Sequence, residues 1–174
     1  MRFWKSVYNM EHGLIHIYCG DGKGKTTACL GLSIRCAGHG NKVLFVQFLK
    51  SRPTGELNSL KLFENIEVMR GKETAKFTFQ MTDEEKKEVL QEHELLFDKV
   101  IERISEEKFD LLVLDEVIGA CNTGVFNEDR LVDFLKNKLF CRGVILIRDY
   151  WKWPIMFLKY ANESIRKIVV YRQE

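Results

Sequence analysis

The sequence lacks a long apolar run and an excess of charge of either sign, and we expect its first residues not to be a signal peptide. No apolar stretch approaches the roughly 20 residues that span a bilayer, so we predict no membrane association. Residues 1–13 lack the continuous apolar core of a signal peptide. The formal net charge of +2 is too small to indicate a nucleic acid or an acidic membrane surface as partner. Any attraction for anions must therefore be local.

The cysteines and histidines show no metal-ligand spacing. The five cysteines contain no CxxC pair, and an odd, unpatterned set is typical of reduced thiols in a cytoplasmic protein. The four histidines are expected to be structural. The chain has no repeat, low-complexity tract or linker, and 174 residues are about one domain's worth. We therefore expect one domain over residues 1–174, with residues 1–12 as an N-terminal arm.

Strand-like and helix-like patterns alternate along the chain. β-rich or continuous apolar runs predict five strands, at residues 13–20, 42–50, 65–71, 109–117 and 143–147. Helical spacing predicts three helices, at residues 25–40, 82–108 and 127–138. In the first helix Leu30, Ile34 and Ala37 are expected on one buried face. In the second, one face carries the recurring apolar residues Val89, Leu96, Val100 and Ile104. Thr82 and Asn127 are suitable N-caps. The alternation predicts an α/β fold, a mostly parallel sheet flanked by helices.

A glycine-rich segment, GDGKGKTT, follows the first predicted strand. It ends in the Gly-Lys-Thr of a phosphate loop, but Gly20 stands one residue closer to Gly24 than the usual four-residue gap requires. Glycines let backbone N–H groups converge on an anion, and the helix N-terminus adds positive potential. The alternative is a glycine turn with surface lysines. The residues predicted to bind nucleotide are Gly20, Asp21, Gly22, Lys23, Gly24, Lys25, Thr26 and Thr27.

Within that loop the side chains have separate expected roles. Lys25 supplies a point charge for phosphate oxygens, and Thr26 or Thr27 supplies a hydroxyl for Mg²⁺.

Two carboxylates, Asp115 and Glu116, end the apolar run LLVLDE. Ligands bind at the carboxyl edge of a parallel sheet, where a carboxylate can hold Mg²⁺ and a second can act as a base. The alternative is a solvated strand end.

The segment KFTF presents two aromatic residues, Phe77 and Phe79, between polar stretches. In an extended segment, residues two apart lie on the same side. Such a pair commonly belongs to the core. Exposed in a polar loop, it would suit a flat hydrophobic ligand.

These motifs together resemble one family. The segment from residue 13 to 50, with its shortened loop and VQFLK, is similar to the N-terminal third of the phosphate-loop ATP:corrinoid adenosyltransferases. FTF and LLVLDEVIGACNTGVFNEDRLVDFLKNK follow in the same order and spacing, so the resemblance covers roughly residues 13–146. The family commonly has Asn where this chain has Asp21. The resemblance implies a RecA-like phosphate-loop fold.

The resemblance also implies a reaction. ATP is bound in reversed polarity, with its γ-phosphate in the shortened loop, and a Co(I) corrinoid attacks the 5′-carbon of ATP. Triphosphate leaves, in adenosylcobalamin biosynthesis or salvage. The catalytic residues implied are Lys25, Glu116, Phe77 and Phe79, and those for Mg²⁺ or Mn²⁺ are Thr26, Asp115 and Glu116.

Further expectations from the resemblance concern the corrinoid and the partners. Phe77 and Phe79 match an aromatic pair that closes over the lower face of the corrin, although some members have Trp at the second position. The implied partners are the corrinoid substrate, a flavodoxin-like or other reductase and a second subunit in a homodimer. In that dimer an N-terminal segment covers the partner's active site, and the segment in this chain is short.

Residues 148–174 depart from the family pattern. The family has Thr-Gly-Arg and then a helix like LLEMADYVSE, whereas this chain reads RDYWKWPIMFLKY. If the third base of each codon is grouped with the next two, that stretch can encode RLLEMADYVSEI. The single codons of Trp151, Trp153 and Met156 then force the family-like Glu, Ala and Val. We infer a shift of reading frame near Ile147, the alternative being a divergent tail. With a shift, the family arginine is lost and Arg148 is an imperfect substitute.

Two other functions stay open on the sequence. A phosphate-loop nucleoside kinase would share the loop but release ADP. A catalytically impaired protein that binds ATP or corrinoid would share the site but not turn over.

Overall fold

The computed structural model describes residues 14–20, 23–50, 54–71, 76, 78–137, 143–147 and 168–173. Its strands are β1 (Leu14–Gly20), β2 (Val43–Gln47), β3 (Ile66–Arg70), β4 (Leu111–Asp115), β5 (Gly143–Ile147) and β6 (Ile168–Gln173). Its helices are α1 (Lys25–Gly38), α2 (Gly55–Leu60), α3 (Asp83–Glu106), α4 (Val117–Asn122) and α5 (Glu128–Asn137). A 3-10 turn, Thr78–Gln80, precedes α3.

The strands form one sheet in the order β3-β2-β4-β5-β1-β6. Every neighbouring pair is parallel, which confirms the predicted α/β architecture. β1 lies between β5 and β6, and β2 lies between β3 and β4. In the β2–β4 register Gln47 is opposite Asp115. The carboxyl ends of these strands therefore meet at one edge of the sheet, as parallel strands require.

Alternate residues of the central strands pack into two separate clusters. Leu44, Val46, Leu112 and Leu114 belong to a cluster that includes buried residues of α3, α4 and α5. Val43, Phe45, Leu111 and Val113 belong to a second cluster, with residues of α1 and α2. Because successive side chains of a strand point to opposite faces, the sheet is covered by helices on both sides. This explains why the runs read as continuously apolar.

The buried face of α1 differs from the predicted one. Ile34 is exposed and Leu30 only half-buried, whereas Cys29, Ser33 and Cys36 are buried together with Ala37. The prediction was wrong because it followed the largest apolar side chains. Ser33 can occupy the buried face because its hydroxyl donates a 2.8 Å hydrogen bond to the Cys29 carbonyl oxygen, so burial leaves no unmet polar group.

The two predicted helix caps are confirmed. The Thr82 hydroxyl accepts from Glu85 N at 3.2 Å, and the Glu85 carboxylate accepts from Thr82 N at 2.8 Å, forming a capping box. Asn127 Oδ1 accepts from Asp129 N at 2.9 Å. The predicted core face of α3 is also confirmed, since its four apolar residues are buried: Val89, Leu96, Val100 and Ile104.

Three elements were not predicted. α2 and α4 have six residues each, too few for a helical period to be recognised in the sequence. β6 follows the strand that we took as the last, although its Ile-Val-Val-Tyr run is β-prone. The remainder of the tail, including Trp151, Trp153 and Met156, lies outside the described residues. None of the helices in the described part of the chain is long and apolar enough to cross a membrane.

Candidate active site

The phosphate loop joins β1 to α1 at the carboxyl edge of the sheet. Gly20 and Gly24 have φ angles of 118° and 102°, in the region that favours glycine. Lys25 is only 5% exposed, and its Nζ donates a 2.7 Å hydrogen bond to the Gly20 carbonyl oxygen. The lysine therefore folds back over the loop that precedes it.

The other predicted nucleotide-binding residues fall into two groups. Lys23, Gly24 and Thr27 are exposed, so a ligand can reach them. Asp21 and Gly22 lie outside the described residues.

Thr26 and Asp115, the first two predicted metal ligands, lie together. Thr26 Oγ1 donates to Asp115 Oδ1 at 3.4 Å, although 89 residues separate them in sequence. Asp115 is 0% exposed. Burial raises the pKa of the Asp115 carboxyl, and the Lys50 ammonium with the Gln47 and Thr26 donors opposes that rise. A hydroxyl and a buried carboxylate thus meet beside the loop.

Glu116, the third predicted ligand, has an unusual backbone conformation. Its φ of 63° makes it the one non-glycine residue with positive φ in the described part of the chain. It is the N-cap of α4 and is 8% exposed. A Cβ at position 119 would lie 3.1 Å from Glu116 Oε2, so the carboxylate rests against Gly119. A strained residue in such a position is typical of functional sites.

Three site residues were missed from the sequence. Lys50 Nζ lies 2.8 Å from Asp115 Oδ2 and 3.4 Å from Glu56 Oε1. Gln47 Nε2 donates to the same two oxygens, at 3.3 and 3.4 Å. The available signal was a glutamine inside the apolar run VLFVQFL, followed closely by a lysine. Glu56 gave no signal, because its helix is short.

The surrounding charges and hydrogen bonds determine the charge states of Lys50 and Glu56. Burial alone would lower the pKa of Lys50, but the Asp115 and Glu56 carboxylates raise it above its ordinary value. Burial acts to raise the pKa of Glu56, and hydrogen bonds with the backbone and Lys50 bring it below its ordinary value. Lys50 and Glu56 are therefore both charged near neutral pH.

The aromatic segment is only partly described. Phe79 is 81% exposed, so it does not belong to the core. Phe79 belongs to a 3-10 turn, Thr78–Gln80, and not to extended chain. Whether Phe77 and Phe79 lie on the same side stays a prediction. Phe77 lies outside the described residues.

His93 connects α3 to the backbone behind the site. It is buried, with Nδ1 2.8 Å from the Val125 carbonyl oxygen and Nε2 3.2 Å from that of Phe48. Burial lowers the pKa of His93, and the two carbonyl contacts oppose that shift. Phe48 directly follows Gln47, so His93 supports the end of β2.

A metal ion here would need ligands from more than one source. The described residues contain no group of three or more His, Cys, Asp and Glu side chains that could hold one. Mg²⁺ commonly uses one or two carboxylates, water and substrate phosphates instead. Thr26 and Asp115 beside a phosphate loop fit that pattern.

Most of the chain matches one known protein family. Residues 11–147 match the model of the family described as ATP:corrinoid adenosyltransferase BtuR/CobO/CobP. The chain belongs to this family. The match covers the phosphate loop, Lys50, the aromatic segment and the Asp115–Glu116 pair, and it ends at the last residue of β5. It confirms the resemblance drawn from the motifs.

Individual members of the family are similar over shorter stretches. A corrinoid adenosyltransferase of Escherichia coli K12 is 52% identical over 52 residues, which are 29% of this chain and 26% of that protein. One from Pseudomonas aeruginosa PAO1 is 30% identical over 123 residues, 70% of this chain and 59% of that protein. One from Sinorhizobium is 30% identical over 129 residues, 74% and 59% respectively. The chain thus spans less than two thirds of each of these relatives.

Proposed function

We propose that this protein transfers the 5′-deoxyadenosyl group of ATP to the Co(I) of a corrinoid, with release of triphosphate. The cobalt electron pair forms the Co–C bond, the C5′–O bond breaks and the electrons of that bond leave on triphosphate. Cobalt is thereby oxidised from Co(I) to Co(III). Membership of the adenosyltransferase family supports this reaction.

The observation that carries the proposal is the buried Lys25 beside the shortened loop. Its ammonium is held at the Gly20 carbonyl oxygen, and the hydroxyl of the following residue, Thr26, donates to the buried Asp115. Fixed donors of this kind stabilise negative charge on a leaving group more effectively than water does, because they need no reorganisation. A triphosphate leaving group is a suitable ligand for such a loop.

Mg²⁺ or Mn²⁺ is a proposed cofactor. Thr26 and Asp115 would hold it, and Glu116 would reach it from the start of α4. The ion would neutralise charge on the triphosphate. These are hard oxygen donors, which Mg²⁺ and Mn²⁺ prefer.

The remaining roles rest on the resemblance and on the exposure of Phe79. Phe77 and Phe79 are proposed to contact the lower face of the corrin, for which an exposed ring is suitable. We also propose a flavodoxin-like or other reductase as electron donor, a homodimeric assembly and a cytoplasmic location.

One assay tests the reaction. The protein is incubated with ATP, Mg²⁺ and chemically reduced cob(I)alamin, and the light-sensitive spectrum of adenosylcobalamin is followed together with the phosphate product. Formation of adenosylcobalamin with one equivalent of triphosphate is expected. Release of ADP without a cobalt–carbon bond would instead indicate a nucleoside kinase.

A second candidate is a protein that binds ATP or corrinoid without turnover. It is favoured by the tail, since the family match ends at Ile147 and residues 148–174 carry none of the family motifs. ATP binding without adenosylcobalamin formation would support it. DNA sequencing around codon 147 then tests the inferred frame shift, which predicts one inserted or missing base there. If sequencing confirms the reading frame as written, and the 174-residue protein has full adenosyltransferase activity, the inferred frame shift is overturned.

A further inference from the structure

The Lys50 ammonium lies among oxygen atoms from three different elements. Its Nζ is 2.8 Å from Asp115 Oδ2, 3.2 Å from Thr26 Oγ1 and 3.4 Å from Glu56 Oε1. Thr26 belongs to α1, Glu56 to α2 and Asp115 to the end of β4. An ammonium with three donors thus faces one hydroxyl and two carboxylates.

These oxygens include two of the atoms that the proposed function assigns to the metal. Thr26 and Asp115 are hard donors, suited to Mg²⁺ or Mn²⁺. A buried carboxylate without a cation is strongly disfavoured, so Asp115 needs a positive partner even when no metal is bound. In the structure Lys50 provides that partner.

Lys50 and a divalent ion compete for the same oxygens. Two cations sharing one carboxylate at contact distance repel each other, and the low polarity around Asp115 strengthens the repulsion. The ammonium stands on a flexible four-carbon stem, so it can move away without a change in the fold. The nearest new anion would be the triphosphate that the metal accompanies.

We propose that Lys50 is a resident cation, which holds the metal position in the nucleotide-free protein and moves to the triphosphate when metal and nucleotide bind. The metal and triphosphate in this statement rest on the proposed function. Lys50 would then contact the leaving group as a second lysine beside Lys25. Metal alone would bind weakly, because it would have to displace the ammonium without a new partner for it.

The surroundings of Lys50 suit such a movement. Arg70 Nη2 donates a 2.7 Å hydrogen bond to the Lys50 carbonyl oxygen, which fixes the backbone while leaving the side chain to move. Gln47 Nε2 bridges Asp115 and Glu56 at 3.3 and 3.4 Å, so the two carboxylates keep a common donor when the ammonium leaves. Gln47 is fully buried and therefore cannot itself follow the ligand.

Binding of Mn²⁺, followed by electron paramagnetic resonance without nucleotide, tests the proposal. Lys50→Met removes the ammonium and keeps the length of the stem, so Mn²⁺ should bind at least about tenfold more tightly than to the wild type. The same variant should bind inorganic tripolyphosphate at least about tenfold more weakly than the wild type does. Lys42→Met is the matched control, because Lys42 pairs with Glu107 at the opposite end of β2. It should change neither affinity.

Unchanged or weaker Mn²⁺ binding in Lys50→Met would overturn the proposal. If that variant does not fold, the wild type still tests the proposal, because it must bind Mn²⁺ weakly in the absence of polyphosphate. Tight Mn²⁺ binding to the wild type without polyphosphate would also overturn the proposal. These titrations contain no corrinoid. If the titrations give the expected affinities but no adenosylcobalamin forms in the activity assay, only the proposed function is contradicted. If adenosylcobalamin forms but the affinities do not change as expected, only the role of Lys50 is contradicted.

Discussion

Lys25 Nζ and the Gly20 carbonyl oxygen are hydrogen-bonded at 2.7 Å, and this bond connects the start of α1 to the end of β1. The loop between them is thus spanned by its own lysine. The side chain is restricted before any phosphate arrives, so less conformational freedom remains to be lost on binding.

Replacing this lysine should weaken nucleotide binding. Lys25→Ala removes a charge-assisted contact of about 1.5–3 kcal/mol, so ATP affinity measured by calorimetry should fall by at least about tenfold. Lys99→Ala, on the exposed face of α3, is the control and should bind ATP as the wild type does. Equal ATP affinity in Lys25→Ala and Lys99→Ala would refute the phosphate-loop assignment.

The exposed aromatic can be tested against an equally exposed aliphatic residue. Phe79→Ala should leave ATP binding intact and slow the reaction that starts from cob(II)alamin, with less effect from chemically reduced cob(I)alamin. Leu62→Ala is a suitable control, because Leu62 is 82% exposed and Phe79 81%. Phe77→Ala should behave like Phe79→Ala. Equal losses from both oxidation states, with a lower melting temperature, would contradict a role at the corrin.

Gly119 should be intolerant of a side chain. In Gly119→Ala the new Cβ would lie 3.1 Å from Glu116 Oε2 and 3.2 Å from Leu49 Cδ1, so one of them must move. We expect a loss of about 1–3 kcal/mol in the free energy of unfolding, together with reduced turnover.

Gly31→Ala is the matched control for that substitution. Gly31 lies within α1, and nothing is within 4 Å of a Cβ at this position. That variant should gain about 0.5–1 kcal/mol from helix propensity. A Gly119→Ala protein as stable and active as Gly31→Ala would show that the Glu116 position is not constrained as described.

His93 should make the fold sensitive to mild acid. Its pKa in the folded protein is lowered from 6.5 by burial, so the unfolded chain takes up the proton first as the pH falls. The free energy of unfolding should therefore decrease as the pH drops from about 6.5 towards the folded pKa. In His93→Gln this dependence, measured by urea unfolding at several pH values, should be shallower.

His16 contributes to the same pH window, because burial also lowers its pKa. The single variant should therefore retain part of the slope, and His16→Gln/His93→Gln should lose more of it. A slope in His93→Gln identical to that of the wild type would contradict the assignment.

Local patterns in the sequence were sufficient for the elements and for part of the site. The cap at Thr82 and the face of α3 depend on neighbours within a few turns, and the strand end at Asp115 follows from one apolar run. The group formed by Thr26, Lys50, Glu56 and Asp115 depends instead on strand order and register. The polar residues at the end of the run VLFVQFLK were a local signal, but no local pattern shows that Lys50 and Glu56 meet Asp115.

The prediction of the buried face of α1 failed for a related reason. Hydrophobicity alone selects Ile34, whereas packing against the sheet selects small residues such as Ser33. Whether a serine can be buried depends on whether its hydroxyl finds an acceptor, here the Cys29 carbonyl oxygen.

The order of the strands also has a consequence for biosynthesis. β1 is translated more than a hundred residues before both of its neighbours, β5 and β6, at residues 143–147 and 168–173. The strand that supports the phosphate loop therefore stays unpaired until β5 has been made, with Ile15 and Ile17 uncovered. Such non-local pairing is slow to form and leaves the nascent chain prone to aggregation. Nucleotide therefore cannot assist the folding of this strand until β5 and β6 have been translated.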